Sequence, residues 1–240
     1  MTTTLTLGEL QLPGATQSAD PLRLSEYSCA MISALRKHVP YGSAKDVLDI
    51  GVGNGILLAT ASMLGADRLF GIDVDEEAIA RTGQMMSLLS PPRTANLVVG
   101  DMWSGFPGQK FDLIVANLPQ FPARGEEALP GRRPSWSVAG PSGDRFIRSF
   151  LSGVAANLNA DGFAILLQNC WVDMRAALEH VGEEIEAKII EKFVIQITPD
   201  KIAAMSSQVL NSSGNGLIHI GSCVFADVYI WCIRRKPGAS

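Results

Sequence analysis

The sequence predicts an open α/β fold, a mostly parallel sheet with helices on both faces. Three observations predict it. Apolar runs of strand length alternate with segments whose apolar residues recur every three to four positions, the order that successive βα units require. The run Val47-Leu48-Asp49-Ile50 passes through the turn Gly51-Val52-Gly53-Asn54-Gly55 into Ile56-Leu57-Leu58, a strand, a tight turn and a helix start in succession. Asp49, Asp73 and Asp101 stand at or near the C-terminal ends of three successive strand-like runs, the edge where open parallel sheets bind ligands. With 240 residues, 47% apolar and 18% charged, the chain can build one such domain, residues 1–240, around a substantial core.

The elements follow in order. Leu5, Leu7 and Leu10 alternate with polar neighbours, which predicts a short strand or hairpin within residues 3–12. Asp20-Pro21 is a helix start, and Leu24, Tyr27, Met31 and Leu35 recur at helical spacing up to Pro40. Residues 1–40 then form a cap segment ahead of the first core strand. Tyr27 either meets a ligand or packs this helix, and packing is the commoner use of such a stripe. Arg68–Asp73 is the second strand, and Asp75-Glu76-Glu77 opens a helix with acids on its first turn, where the helix dipole favours them. Pro91-Pro92 stops that helix.

Asn96–Asp101 is the third strand, and Phe111–Ala116 the fourth, leaving through Asn117-Leu118-Pro119-Gln120-Phe121. Residues 118–142 form a long proline- and glycine-rich connection that reads as a substrate loop, with Arg132, Arg133 and Trp136 as possible contacts. Phe146, Ile147, Phe150, Leu151, Val154 and Leu158 define one helix face. Asp161-Gly162 predicts a turn before a fifth strand at 163–168, and residues 172–185 read as an amphipathic helix. Two strands follow, at 188–197 and 223–233. Between them lies an insert, 198–216, whose helix runs from Lys201 to about Leu210. The tail from Arg234 is frayed.

The glycine turn selects its ligand by charge and spacing. Glycines let the backbone pass close beneath a ligand, and the helix start offers free N–H groups. A nicotinamide fingerprint requires a glycine where Ile56 stands, and Asp49 would repel a pyrophosphate but attract an ammonium group. Asp73, 22 residues past Gly51, is placed to bind two ribose hydroxyls.

The pattern Asp49-x-Gly51-x-Gly53-x-Gly55 resembles the first motif of class I S-adenosylmethionine (SAM)-dependent methyltransferases. That resemblance implies a Rossmann-like class I methyltransferase fold with a seven-stranded sheet, whose last two strands include an antiparallel one. It implies SAM as cofactor, with Asp49 at its amino-acid end and Asp73 at its ribose. Asp101 would accept from the adenine amine, and the Met102 N–H would meet the ring. Asn117-Leu118-Pro119-Gln120 resembles the N-P-P-Y signature of the HemK-type branch and of several adenine methyltransferases. There Asn117 would hold the acceptor beside the cofactor, and Pro119 would fix the turn. The departures are Leu118 for the first proline and Gln120 for the aromatic, with Phe121 one place late. They weigh against glutamine and adenine acceptors. A similar exit in the methyltransferase portion of plant methionine S-methyltransferase suggests an amino-acid-like acceptor.

Net charge is −4 and the sequence pI about 5.4, which argues against a nucleic-acid substrate. No apolar run has membrane-spanning length and no secretory signal is visible, so a cytoplasmic protein with no membrane partner is expected. Cys29, Cys170, Cys223 and Cys232 read as reduced core thiols, and the isolated histidines predict no metal site. The resulting expectation is SAM-dependent methyl transfer to a small-molecule, amino-acid-like acceptor. Two alternatives stand beside it. One is cyclisation of SAM to azetidine-2-carboxylate with release of methylthioadenosine. The other is N-methylation of a protein glutamine. Oligomeric state has no sequence signal.

Overall fold

The computed structural model describes residues 24–123, 138–179, 181, 184–212 and 216–236, together with the backbone of two short strands near the N-terminus. Those strands, β1 (Leu5–Leu7) and β2 (Leu10–Leu12), pair antiparallel as the expected hairpin. The rest falls into two compact units, Met1–Ala116 with Asn157–Phe163, and Asn117–Ala156 with Ala164–Ser240.

The first unit opens on α1 (Glu26–His38). Its N-cap is Ser25, whose Oγ accepts from the Ser28 N–H at 3.1 Å. Asp20-Pro21, the expected start, lies outside the described residues. Met31 and Leu35 of the predicted stripe are fully buried. β3 (Asp46–Ile50) is buried along its whole length because it is central, with β4 (Arg68–Asp73) on one side and β6 (Phe111–Ala116) on the other. β5 (Asn96–Val99) pairs with β4, and all three pairings are parallel. Burial on both faces explains the near-continuous apolar run of β3.

Ile50 is level with Ile72 and Ala116, and Ile72 with Val98, so the strands end close to one line. Phe70, Phe106 and Phe111 pack edge to face in the core, with centroids 5.2–6.2 Å apart. α2 (Ile56–Met63) and α3 (Glu76–Leu88) supply the crossovers. Asp75 caps α3 by accepting from the Glu77 N–H at 3.0 Å, and the helix ends ahead of Pro91, as the acids and prolines predict.

Asp112 ties the strand starts together. Its Oδ2 accepts from the Lys45 and Asp46 N–H groups at 2.9 and 3.0 Å, and its Oδ1 from Asn159 Nδ2 at 2.6 Å. Asn159 lies on β7 (Leu158–Asn169), which runs straight through the expected Asp161-Gly162 turn. The turn expected there is extended strand instead. A Cβ on Gly162 would lie 2.6 Å from the Phe111 carbonyl oxygen and 3.0 Å from the Asn159 nitrogen. Glycine is needed there for close approach.

In the second unit, α4 (Arg145–Asn157) buries Ile147, Phe150, Leu151 and Val154. β10 (Cys223–Arg235) lies between the later part of β7 and β8 (Ile185–Ile197), and pairs antiparallel with β8. β9 (Leu217–Ile220) adds to β10. The helix expected over 172–185 is only α5 (Met174–Glu179), and Ile185 opens β8 instead. The single insert helix is also two, α6 (Pro199–Ala204) and α7 (Ser207–Leu210). Met205 and Ser206 between them are extended, because Ser206 caps α7 and bonds elsewhere. No described helix is long and apolar enough to cross a membrane. The four cysteines are free, but Cys29 is exposed and Cys170 and Cys223 are half-buried, so the expectation of core thiols holds for Cys232 alone.

Candidate functional site

Gly51, Gly53 and Gly55 all take left-handed backbone angles, φ +72°, +56° and +77°. Any other residue would be strained there. At Gly55 there is also no room, since a Cβ would sit 2.9 Å from Thr82 Cγ2. Thr82 Oγ1 in turn donates to the Gly53 carbonyl at 3.2 Å, so α3 braces the turn from below. Gly55 is the N-cap of α2 and has no side chain to satisfy the first amides. One of them, Ile56 N–H, donates to Asn54 Oδ1 at 3.2 Å.

Asp73 joins the two strand ends. Its Oδ2 accepts from the Gly53 N–H at 2.9 Å and its Oδ1 from the Asp75 N–H at 3.0 Å. Its carbonyl oxygen accepts from the Gly100 N–H at 2.9 Å, which brings the end of β5 alongside. Each carboxylate oxygen still has a lone pair for a further donor. Asp49, one residue from the end of β3, is 1% exposed, and neither of its oxygens has a hydrogen-bond partner among the described residues. Burial pushes its carboxyl well above the ordinary aspartate range, and the negative charge of Asp73 adds to the effect.

Asp101 is exposed. Its N–H donates to Ser104 Oγ at 3.1 Å and its carbonyl accepts from the Ser104 N–H at 3.0 Å. Met102 follows at φ +44°, a left-handed conformation that a methionine rarely adopts. The first unit therefore brings Asp49, Asp73, Asp101 and Met102 to one line of strand ends, with the three glycines between.

The second unit begins with Asn117, half-buried, as is Pro119. Gln120 stands in the place of the expected aromatic and turns inward. It is buried, its Nε2 donates to the Leu167 carbonyl at 2.8 Å, and its Oε1 accepts from the Asn169 N–H at 2.8 Å. The Gln120 carbonyl accepts from Trp171 Nε1 at 2.7 Å. Gly143 packs so closely on that carbonyl that a Cβ would have no room. This position is thus a clamp between the motif and the end of β7, which is why no aromatic occupies it.

The ends of the long loop are also held. Phe121 bridges to Val138, Ser206 N–H donates to the Pro122 carbonyl at 2.6 Å, and Ser206 Oγ to the Pro141 carbonyl at 2.6 Å. Arg132, Arg133 and Trp136 lie outside the described residues.

Sequence reasoning missed Thr82, Gln120 as a clamp, and Asn169. Thr82 shares the buried face of α3 with Ala78, Met85 and Met86, so a polar residue at a core position was its signal. Gln168-Asn169 closes an apolar strand, the same signal that singled out the three aspartates.

A sequence model of the family described as ribosomal protein L11 methyltransferase (PrmA) matches residues 30–119. The ribosomal protein L11 methyltransferase of Aquifex aeolicus is 38% identical over 90 residues, covering 36% of this chain and 33% of that protein. The release factor glutamine methyltransferase of Caulobacter vibrioides is 36% identical over 93 residues, covering 38% of this chain and 32% of that protein. The match thus spans about a third of these relatives' length. Among solved structures, the T. thermophilus 16S rRNA N2 G1207 methyltransferase, in complex with AdoMet and guanosine, superposes with a TM-score of 0.59 at 16% identity. That match covers 98% of this chain and 50% of that one.

These likenesses correct one expectation. The absence of nucleic acid was read from the acidic charge and the small-molecule acceptor mainly from the departures at Leu118 and Gln120, yet these proteins are named for ribosomal protein L11, a release factor and 16S rRNA. Net charge sums the whole surface, whereas an acceptor meets one patch of it. The fold itself is the Rossmann-like methyltransferase fold, a mixed, mostly parallel sheet flanked by helices. It has the seven expected strands and β9 as an eighth.

Proposed function

We propose that the chain is a SAM-dependent methyltransferase acting on a protein acceptor, the class for which its curated relatives are named, and that its N-P-P-Y-like segment directs the methyl to a nitrogen. The observation that carries the reading is Asp49. A buried carboxyl with no partner beside a glycine turn is costly to the fold, and a cationic ligand relieves that cost. A pyrophosphate would aggravate it. SAM carries an ammonium and a sulfonium and no phosphate, so the donor set suits it. In this reading Asp49 faces the amino-acid end, Asp73 uses its remaining lone pairs on the ribose hydroxyls, and Asp101 with the Met102 N–H meets the adenine. Gly51, Gly53 and Gly55 keep side chains out of the way.

SAM supplies an already activated methyl group, so the chain has mainly to position and desolvate the reactants. The Asn117-Leu118-Pro119-Gln120 segment is read as a HemK-type acceptor motif. Asn117 accepts an N–H of the acceptor and points the nitrogen lone pair at the methyl, and Pro119 keeps the turn rigid. The N–C bond forms as the S–C bond breaks, the thioether leaves neutral, and the acceptor sheds one proton.

Incubation of the purified protein with methyl-tritiated SAM and unmethylated ribosomal protein L11 or release factor tests the reading. Label transferred to one of them is expected, dependent on Asn117. Release of methylthioadenosine from SAM alone, with neither protein labelled, would overturn it.

A further inference from the structure

The last residue of β7 is held in an unusual way. The Asn169 N–H donates to Gln120 Oε1 at 2.8 Å. Its carbonyl accepts from Gln168 Nε2 at 2.6 Å and from the Val172 N–H at 3.0 Å. The backbone of this residue is thereby fixed on both sides. Its side chain is not satisfied in the same way. Asn169 is 5% exposed, and its Oδ1 is buried without a hydrogen-bond partner among the described residues. Buried amide oxygens are nearly always paired, because an unpaired one forfeits its hydration with no return. Leu166 and Leu167 precede it in the core, and an apolar side chain would serve the fold better at this position.

Two features point to a ligand rather than a defect. Asn169 ends a strand, the place where open α/β sheets put their ligand groups. Gln120 also bonds the backbone on both sides of Gln168, at Leu167 and Asn169, so the Asn117–Gln120 segment and the end of β7 are built as one rigid piece. The backbone that carries Asn117 and the backbone that carries Asn169 are therefore joined through Gln120. We infer that Asn169 is a second acceptor-binding residue, whose Oδ1 accepts an N–H of the substrate group held by Asn117. Two carbonyl oxygens call for a group with two N–H donors, a primary amide or a neutral primary amine, and they reject an acceptor that offers none.

This inference rests on the acceptor reading of Asn117. The test uses Asn169→Leu and Asn169→Asp with the same two proteins as acceptors, S-adenosylhomocysteine calorimetry and thermal melting. Asn169→Leu is expected to lower kcat/KM for the acceptor roughly 10- to 100-fold, the worth of one buried hydrogen bond. Its cofactor affinity and Tm do not fall. Asn169→Asp keeps the accepting atom and stays within about tenfold of wild type. Should Asn169→Leu fail to fold, a folded Asn169→Asp with more than about a hundredfold loss would contradict the inference. A folded Asn169→Leu with unchanged kcat/KM, or one losing cofactor affinity in step with activity, would overturn the inference and leave the proposed function standing. A wild-type protein that labels neither acceptor sinks both.

Discussion

Asp49 is buried, acidic and without a partner among the described residues, and these facts together give two opposed consequences. Its carboxyl is raised in the folded protein by burial and by Asp73. A raised acid binds its proton more tightly folded than unfolded. Its contribution to stability is therefore complete below the unfolded aspartate pKa and is lost as pH climbs through the folded value. Asp49→Asn removes that loss, and at neutral pH the variant should melt about 2–4 °C higher, the shift that roughly 1 kcal/mol produces in a chain of this size. The same change should abolish SAM binding. Gln120 is the second residue whose role runs against its sequence appearance. Restoring the motif aromatic as Gln120→Tyr breaks the bonds to Leu167 and Asn169 and overfills a buried site. It should destabilise by about 2–4 kcal/mol in a denaturant melt rather than improve activity. The three aspartates were legible because an acid closing an apolar run is conspicuous. Gln120 was not, because a side chain that bonds distant backbone leaves no local pattern.

At the scale of elements, the parallel strands were readable for a simple reason. β3, β4 and β6 are apolar runs ended by an acid or an asparagine, and burial leaves them few alternatives. The failures came where two local preferences competed. Residues 201–210 keep helical spacing, yet Ser206 bonds Pro122, Pro141 and Val209, and those bonds break the helix in two. Ser206→Ala should cost about 1–2 kcal/mol through lost capping and the lost bond to Pro141, measurable as a lower Tm. Ile185 suits a helix face and a strand equally, and its pairing with Arg235 on β10 decides for the strand. Asp112 shows a contact that no periodicity reveals. Burial would raise its carboxyl, but the N–H donors of Asp46, Asn159 and Lys45 outweigh that and hold it below the ordinary range. The stability it brings is present above the unfolded aspartate pKa and lost as pH falls through the lower folded value. Asp112→Asn should therefore flatten the acid end of the Tm–pH profile and lower Tm at pH 7.

For the whole molecule, the platform was legible and the acceptor was not. The residues proposed to cradle a nucleoside lie near one another in sequence, within the span 49–102. An acceptor is chosen by loop residues and surface patches whose effect composition averages away. The acidic charge argued against nucleic acid and the altered N-P-P-Y motif suggested a small molecule, and proteins named for ribosomal protein L11, a release factor and 16S rRNA overturned both.

The most direct measurement is calorimetric titration of the purified protein with SAM in buffers of different ionisation enthalpy. Burial and the charge of Asp73 push the Asp49 carboxyl up and a cation favours its charged form, so across that carboxyl's titration binding should release protons and affinity should rise with pH, and Asp49→Asn should abolish both. Binding without proton release that survives Asp49→Asn, or no binding of SAM at all, would contradict the account.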